Sequence, residues 1–224
     1  MRAHWYSEGT RTLMLPDSGF AADGQPAAES SVDADAVPST APEPFRAAVS
    51  TLLATTVRPQ ARVERIRPPQ RLAPWTFAVA VDIFPSGNSS TGGHDSATGR
   101  LVVLYDPDGS EAWDGEIRLV AYAQADLAAD MAGDPLLPAV GWSWLTEALE
   151  QRAAAHTAVG GTVTQTTSTR FGDVHGPTST TQLELRGSWT ATSTDLSPHL
   201  LAFVDLLCVA AGLPPEGVAV LGDR

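Results

Sequence analysis

The stretch PWTFAVAVDIF, residues 74–84, alternates between large apolar side chains and smaller or polar ones. The large members of this series are Trp75, Phe77, Val79, Val81 and Ile83. Because successive side chains of a β-strand point to opposite faces of a sheet, the pattern predicts a strand with one buried face and one more polar face that carries Asp82. Such a strand requires neighbouring strands beside it and a second layer that covers its apolar face.

The rest of the chain supplies both requirements. Further strands are predicted within the arginine-rich segment 58–71 and over 101–106, 116–123, 157–170 and 179–191, and helices over 44–57, 125–131, 138–154 and 198–211. The predicted order is α-β-β-β-β-α-α-β-β-α. Consecutive strands with short links favour antiparallel pairing. The predicted class is therefore α+β, with a mostly antiparallel sheet of about six strands and helices packed on one side.

Composition divides the chain into two regions. Residues 1–43 are predicted to form a disordered acidic N-terminal tail, because residues 16–43 are rich in Ala, Ser, Pro, Asp and Glu and poor in large apolar side chains. Residues 1–13 differ in composition, and a translation start at Met14 is an alternative that mass spectrometry of the native N-terminus would test. Residues 44–224 are predicted to form a single α+β domain.

The charged residues exclude several kinds of chemistry. The formal net charge is -12, and all 14 basic residues are arginine. A chain without lysine has no Schiff-base lysine and no phosphate-loop lysine. An acidic surface repels phosphate backbones, so nucleic acid is an unfavourable partner.

The single cysteine and the lack of long apolar runs bear on location. Cys208 cannot form an internal disulfide, which fits a reducing cytoplasm. No apolar run reaches the roughly 18 residues of a membrane-spanning helix. We therefore expect a cytoplasmic protein with no membrane partner.

Motifs that carry chemistry are not found in the sequence. The five histidines lack metal-ligand spacing, the acidic loop DPDGSEAWDGE lacks calcium-loop spacing, and no nucleophile elbow is present. No catalytic residue, metal ligand or cofactor is predicted, and the sequence favours a non-enzymatic role. The alternative is an enzyme of hydrolytic type that gathers Asp82, Asp106 or His199 in an acidic cleft.

Five arginines lie between residues 58 and 71. They are typical of a charged edge strand that resists aggregation. The functional alternative is contact with an anion through Arg62, Arg65 and Arg67. A role as an accessory protein of RNA metabolism would use the same run and would depend on salt.

Two helices raise the question of a partner. In the helix from 138 to 154, Trp142 and Trp144 mark the two borders of a wide apolar face, and packing of both against the sheet is the favoured interpretation. The last helix is apolar almost all round, so it is either buried on several sides or part of an interface. The interface candidates are Phe203, Leu206 and Trp142. Another protein or a second copy of the chain, as a homodimer, is the expected partner.

The segments DPLLPAVGWSWLTEAL and LLCVAAGLPP resemble an actinobacterial domain-of-unknown-function family, numbered three thousand, over about residues 44–220. The resemblance implies no activity and no catalytic residues. The element order is also similar to that of small chaperones of secretion systems, which implies an acidic, dimeric, non-enzymatic protein with an apolar surface for a client. We therefore expect a soluble cytoplasmic protein that serves as a protein-interaction or chaperone-like module.

Overall fold

The computed structural model describes residues 37–85, 97–127, 134–173, 175–176 and 178–216. The three helices are α1 (Glu43–Leu53), α2 (Leu137–Gln151) and α3 (Ser197–Ala210). The six strands are β1 (Ala61–Arg65), β2 (Trp75–Ile83), β3 (Ala97–Ser110), β4 (Gly115–Leu127), β5 (His156–Thr169) and β6 (Ser179–Ala191). None of the helices in these segments is long and apolar enough to cross a membrane. The tail predicted as disordered lies outside the described residues as far as residue 36.

The six strands form one sheet in the order β1-β2-β3-β4-β6-β5. Every neighbouring pair is antiparallel, which confirms the predicted α+β class and its antiparallel sheet. The chain leaves β4, passes through α2 and enters the sheet again as β5, and β6 then inserts between β4 and β5. This connection places β5 at one edge of the sheet and leaves β1 at the other.

All three helices lie on one side of the sheet, as predicted. The alternation in β2 directs Phe77, Val79, Val81 and Ile83 into the core, where each is 3% exposed or less. Helix α3 contacts β2, β3 and β4, α2 contacts β5 and β6, and α1 packs against α3. The opposite face carries no helix among the described residues, and we call it the open face.

The end of β4 and the start of the packed chain differ from the sequence prediction. The short helix predicted at 125–131 is wrong where it can be compared, because residues 125–127 belong to β4 and residues 128–131 lie outside the described residues. Ala125 and Leu127 continue the antiparallel pairing with β6, which outweighs the helix propensity of the alanines. At the other end, Val37 packs against the core and Ala41 is buried, so the packed chain begins ahead of residue 44.

Candidate interaction surfaces

The residues predicted at an interface are mostly core residues. Phe203 and Leu206 on α3 are 0% and 2% exposed, because the sheet, α1 and α2 surround this helix. Burial inside the chain therefore accounts for the apolar helix, and neither side chain is available to a partner. The sequence raised burial and interface as alternatives for this helix, and the structure places it in the core.

The two tryptophans of α2 occupy opposite borders of its packed face, as the helical wheel predicted. Trp142 lies over Gly161 and Gly187, which face each other across β5 and β6. A Cβ atom at Gly161 would lie 2.8 Å from Cζ3 of Trp142, so the close approach requires glycine. Trp144 is partly buried against the core and also lines a groove of about 680 Å³ between α2 and α3.

The polar side chains along that groove are held by hydrogen bonds within the protein. Arg152, just past the end of α2, donates two hydrogen bonds to Asp205 on α3, of 2.6 and 2.9 Å. Arg58 donates to the carbonyl of Pro214 at 3.2 Å. Burial raises the pKa of the Cys208 thiol, which lies against the same groove, to about 11. A thiol with so high a pKa is a poor nucleophile at neutral pH.

The arginine run is divided between the two faces of the sheet. Arg62 forms an ion pair with Glu64, and the guanidinium of Arg65 lies 5.6 Å from the centre of the Phe77 ring. Arg67 lines a cavity on the open face. Since residues three apart on a strand point to opposite faces, the three predicted anion contacts do not form one site.

The candidates for an acidic catalytic cleft also lie apart. Asp82 lies on the open face, whereas His199 is fully buried on α3 beneath the opposite face. Asp106 lies toward the far end of β3 and accepts a hydrogen bond from the backbone N–H of Asp108 at 3.2 Å. Among the described residues, no group of three His, Cys, Asp or Glu side chains could hold a metal ion.

The two edges of the sheet differ in charge and length. Strand β1 has five residues, ARVER, of which three are charged. Strand β5 has 14 residues, HTAVGGTVTQTTST, with no Asp, Glu, Arg, Lys or Pro among them. An edge strand presents unpaired backbone N–H and C=O groups, and charged residues or proline are the usual protection against pairing. Edge β1 is therefore protected, and no other described strand pairs with the outer side of β5.

One irregularity in β5 is anchored by an arginine. The pairing with β6 shifts between Thr157 and Gly160, and Ala158 there has a φ of 48°. Arg118 on β4 donates to the carbonyl of Ala158 at 2.8 Å, and it also donates to Ser188 and Thr190 on β6. Beyond this bulge, residues 160–169 pair with β6 in an unbroken register.

The open face contains a cavity of about 770 Å³. Its floor is made of small and branched side chains from three neighbouring strands: Ala78, Ala80, Val102 and Val120. Arg67, Arg100, Tyr122 and Gln124 are among the polar residues that line it. Burial, and then the hydrogen bond to Glu184 at 2.9 Å, raise the pKa of Tyr122 above its ordinary value. The phenol is therefore neutral, and its hydroxyl lies 2.9 Å from both the Glu184 carboxylate and Oε1 of Gln124.

Fold and surfaces together define an α+β protein whose antiparallel sheet is covered by helices on one side, with one unprotected edge and a cavity on its open face. Residues 41–219 match the model of the family described as Protein of unknown function (DUF3000). The chain therefore belongs to this family, which confirms the resemblance seen in the sequence. No match was found among curated proteins or among solved structures.

Proposed function

We propose that this protein is a non-enzymatic interaction module of the cytoplasm that assembles with a second copy of itself through β5. The observation that carries the proposal is the uncharged 14-residue edge strand. The cytoplasmic location is supported by Cys208, the only cysteine in the chain, which is buried as a free thiol. The non-enzymatic role is supported by the separation of Asp82, Asp106 and His199.

Charge favours a second copy at this edge. The chain has a net charge of -12, so two copies repel each other over most of their surfaces. Contact between two β5 strands brings no charged side chain of either strand against the other. Contact through β1 would instead bring Arg62, Glu64 and Arg65 of each copy together.

The geometry suits pairing about a two-fold axis. In such a dimer both copies use the same surface, and an antiparallel strand pair has this symmetry. The regular stretch 160–169 offers about ten hydrogen bonds if it pairs along its whole length, since alternate residues of each strand exchange two. The product is a continuous antiparallel sheet of two six-stranded halves.

Light scattering coupled to size-exclusion chromatography tests the proposal with the full chain. The wild-type protein is expected to have twice the 23.5 kDa mass of the chain over the micromolar range. Thr164→Lys places a cation near the middle of the stretch 160–169, where two copies meet, and is expected to shift the protein to the monomer. Thr164 faces Glu184 across β5 and β6, so the new lysine gains an opposite charge within its own copy.

Ser50→Lys is the matched control. Ser50 lies exposed on α1, and its replacement adds the same charge away from β5. This variant is expected to remain a dimer. A monomeric wild-type protein over the whole concentration range, or equal dimerisation of the two lysine variants, would overturn the proposal.

A further inference from the structure

The cavity on the open face has the size and lining of a site for a small molecule. Its volume of about 770 Å³ lies within the range of about 300 to 1,000 Å³ that is usual for ligand sites. The floor is a flat apolar surface, because Ala78 and Ala80 on β2 and Val102 on β3 are short side chains side by side in the sheet. Ile66 and Pro69 line the cavity on the β1 side.

Two guanidinium groups on this cavity have no acid partner within the described part of the chain. No hydrogen bond or ion pair joins Arg67 or Arg100 to another residue that the structure describes. By contrast, Arg186 on the same face is held by Glu184 at 2.9 Å, and Arg62 is held by Glu64. A guanidinium without an acid partner is suited to bind a carboxylate, sulfonate or phosphate through paired hydrogen bonds.

The order of side chains across the sheet determines where in the cavity an anionic group can bind. Arg100 faces Ala80 on β2 and Tyr122 on β4. Asp82 lies one step further along the same face of β2, opposite Thr98, and so occupies the other end of the floor from Ala78. Arg67 follows Ile66, whose N–H bonds to the carbonyl of Ala78. Arg67 therefore lies at the Ala78 end of the floor, away from Asp82, and Arg100 lies midway between the two ends.

We infer that this cavity binds an organic anion with a flat apolar body. The anionic group lies between Arg100 and Arg67, the body rests on the alanine and valine floor, and the Tyr122 ring borders it. This site is separate from β5, so it goes beyond the proposed assembly and does not depend on it.

Two fluorescent probes that differ in charge test the inference. The first, 8-anilinonaphthalene-1-sulfonate, is an aromatic anion, and the second, N-phenyl-1-naphthylamine, has a similar aromatic body without the sulfonate. Arg100→Gln is expected to weaken binding of the sulfonate probe about tenfold, the loss of one charged hydrogen-bonding partner, and to leave the neutral probe unchanged. Ala80→Leu, which fills the floor, is expected to weaken binding of both probes.

Arg62→Gln is the control, since it removes the same charge from the open face at a residue that does not line the cavity. It is expected to bind both probes like the wild-type protein, as is Thr164→Lys. Circular dichroism establishes that each variant is folded before titration, because the sulfonate probe also binds partly unfolded chains. Equal sulfonate affinity in Arg100→Gln and the wild-type protein, or binding of both probes unaltered by Ala80→Leu, would overturn the inference.

Discussion

The indole N–H of Trp189 donates a hydrogen bond to Nδ1 of His199 over a distance of 3.0 Å. Both side chains are fully buried, and their rings stack with an angle of 26° between the planes. Since Nδ1 accepts this bond, the neutral imidazole carries its proton on Nε2. The Nε2–H has no acceptor among the described residues, and a second proton would have to go to Nδ1, which faces the N–H of Trp189.

We expect this histidine to make the fold sensitive to mild acid. Burial, and then the charge of His156, lower the pKa of His199 from 6.5 to about 4. His199 therefore takes up a proton near pH 6.5 in the unfolded chain but only near pH 4 in the folded chain. Stability present above pH 6.5 is lost as the pH falls through this window, by about 3 kcal/mol in total.

Urea unfolding at pH 7.5, 6, 5 and 4.5 measures the effect. His199→Asn retains an acceptor for Trp189 but does not titrate, so the difference in stability between this variant and the wild-type protein is expected to shrink as the pH falls. His175→Asn, at an exposed position, is expected to follow the wild-type curve. Parallel curves for wild type and His199→Asn would contradict the assignment.

Adjacent glycines in β5 are expected to respond oppositely to alanine. A Cβ at Gly161 would lie 2.3 Å from the carbonyl oxygen of Arg186 and 2.8 Å from Trp142, whereas a Cβ at Gly160 meets nothing within 4 Å. Gly161→Ala is expected to reduce the free energy of unfolding by about 2 kcal/mol or more, because the backbone must move. Gly160→Ala is expected to leave it nearly unchanged. Thermal melts of the two variants provide the comparison, and similar losses would show that Trp142 does not pack as described.

Cys208 is expected to react slowly in the folded protein. Burial raises its pKa from 9.0 to about 11, so at pH 8 the thiolate fraction falls about a hundredfold. Labelling with iodoacetamide, followed by mass spectrometry, is expected to become fast only after urea unfolds the chain. Rapid labelling of the folded protein would mean that the groove beside Cys208 opens in solution.

The sheet was predictable because alternation is a local signal. β2 and β6 each direct large residues to one face and smaller or polar residues to the other, and this pattern needs no knowledge of the partner strands. The end of β4 was predicted wrongly because its last residues are alanine-rich, and only pairing with β6 determines their conformation. Local propensity has no information about that pairing.

The candidate surfaces were less predictable, because they depend on strand order. The uncharged composition of residues 156–169 is visible in the sequence, but nothing local shows that β6 inserts between β4 and β5 and leaves β5 at the edge. Likewise Arg67 and Arg100 meet at one cavity only because β1, β2 and β3 are neighbours. The sequence could identify the arginine run but could not separate its members between the faces.

Arg152, just past the end of α2, and Asp205 on α3 are 53 residues apart in sequence and join in the structure to hold α2 against α3. Their side chains are 28% and 23% exposed, so solvent screens the pair only in part.

Arg152→Gln and Asp205→Asn are each expected to lower the free energy of unfolding by about 1 to 2 kcal/mol. The double variant is expected to lose less than the sum of the two, because the second change removes a group already without its partner. The pair of Glu184 and Arg186, whose arginine side chain is 67% exposed, gives the comparison cycle, with a coupling energy expected to be smaller. Strictly additive losses at Arg152 and Asp205 in urea unfolding would show that the two helices are held by apolar packing alone.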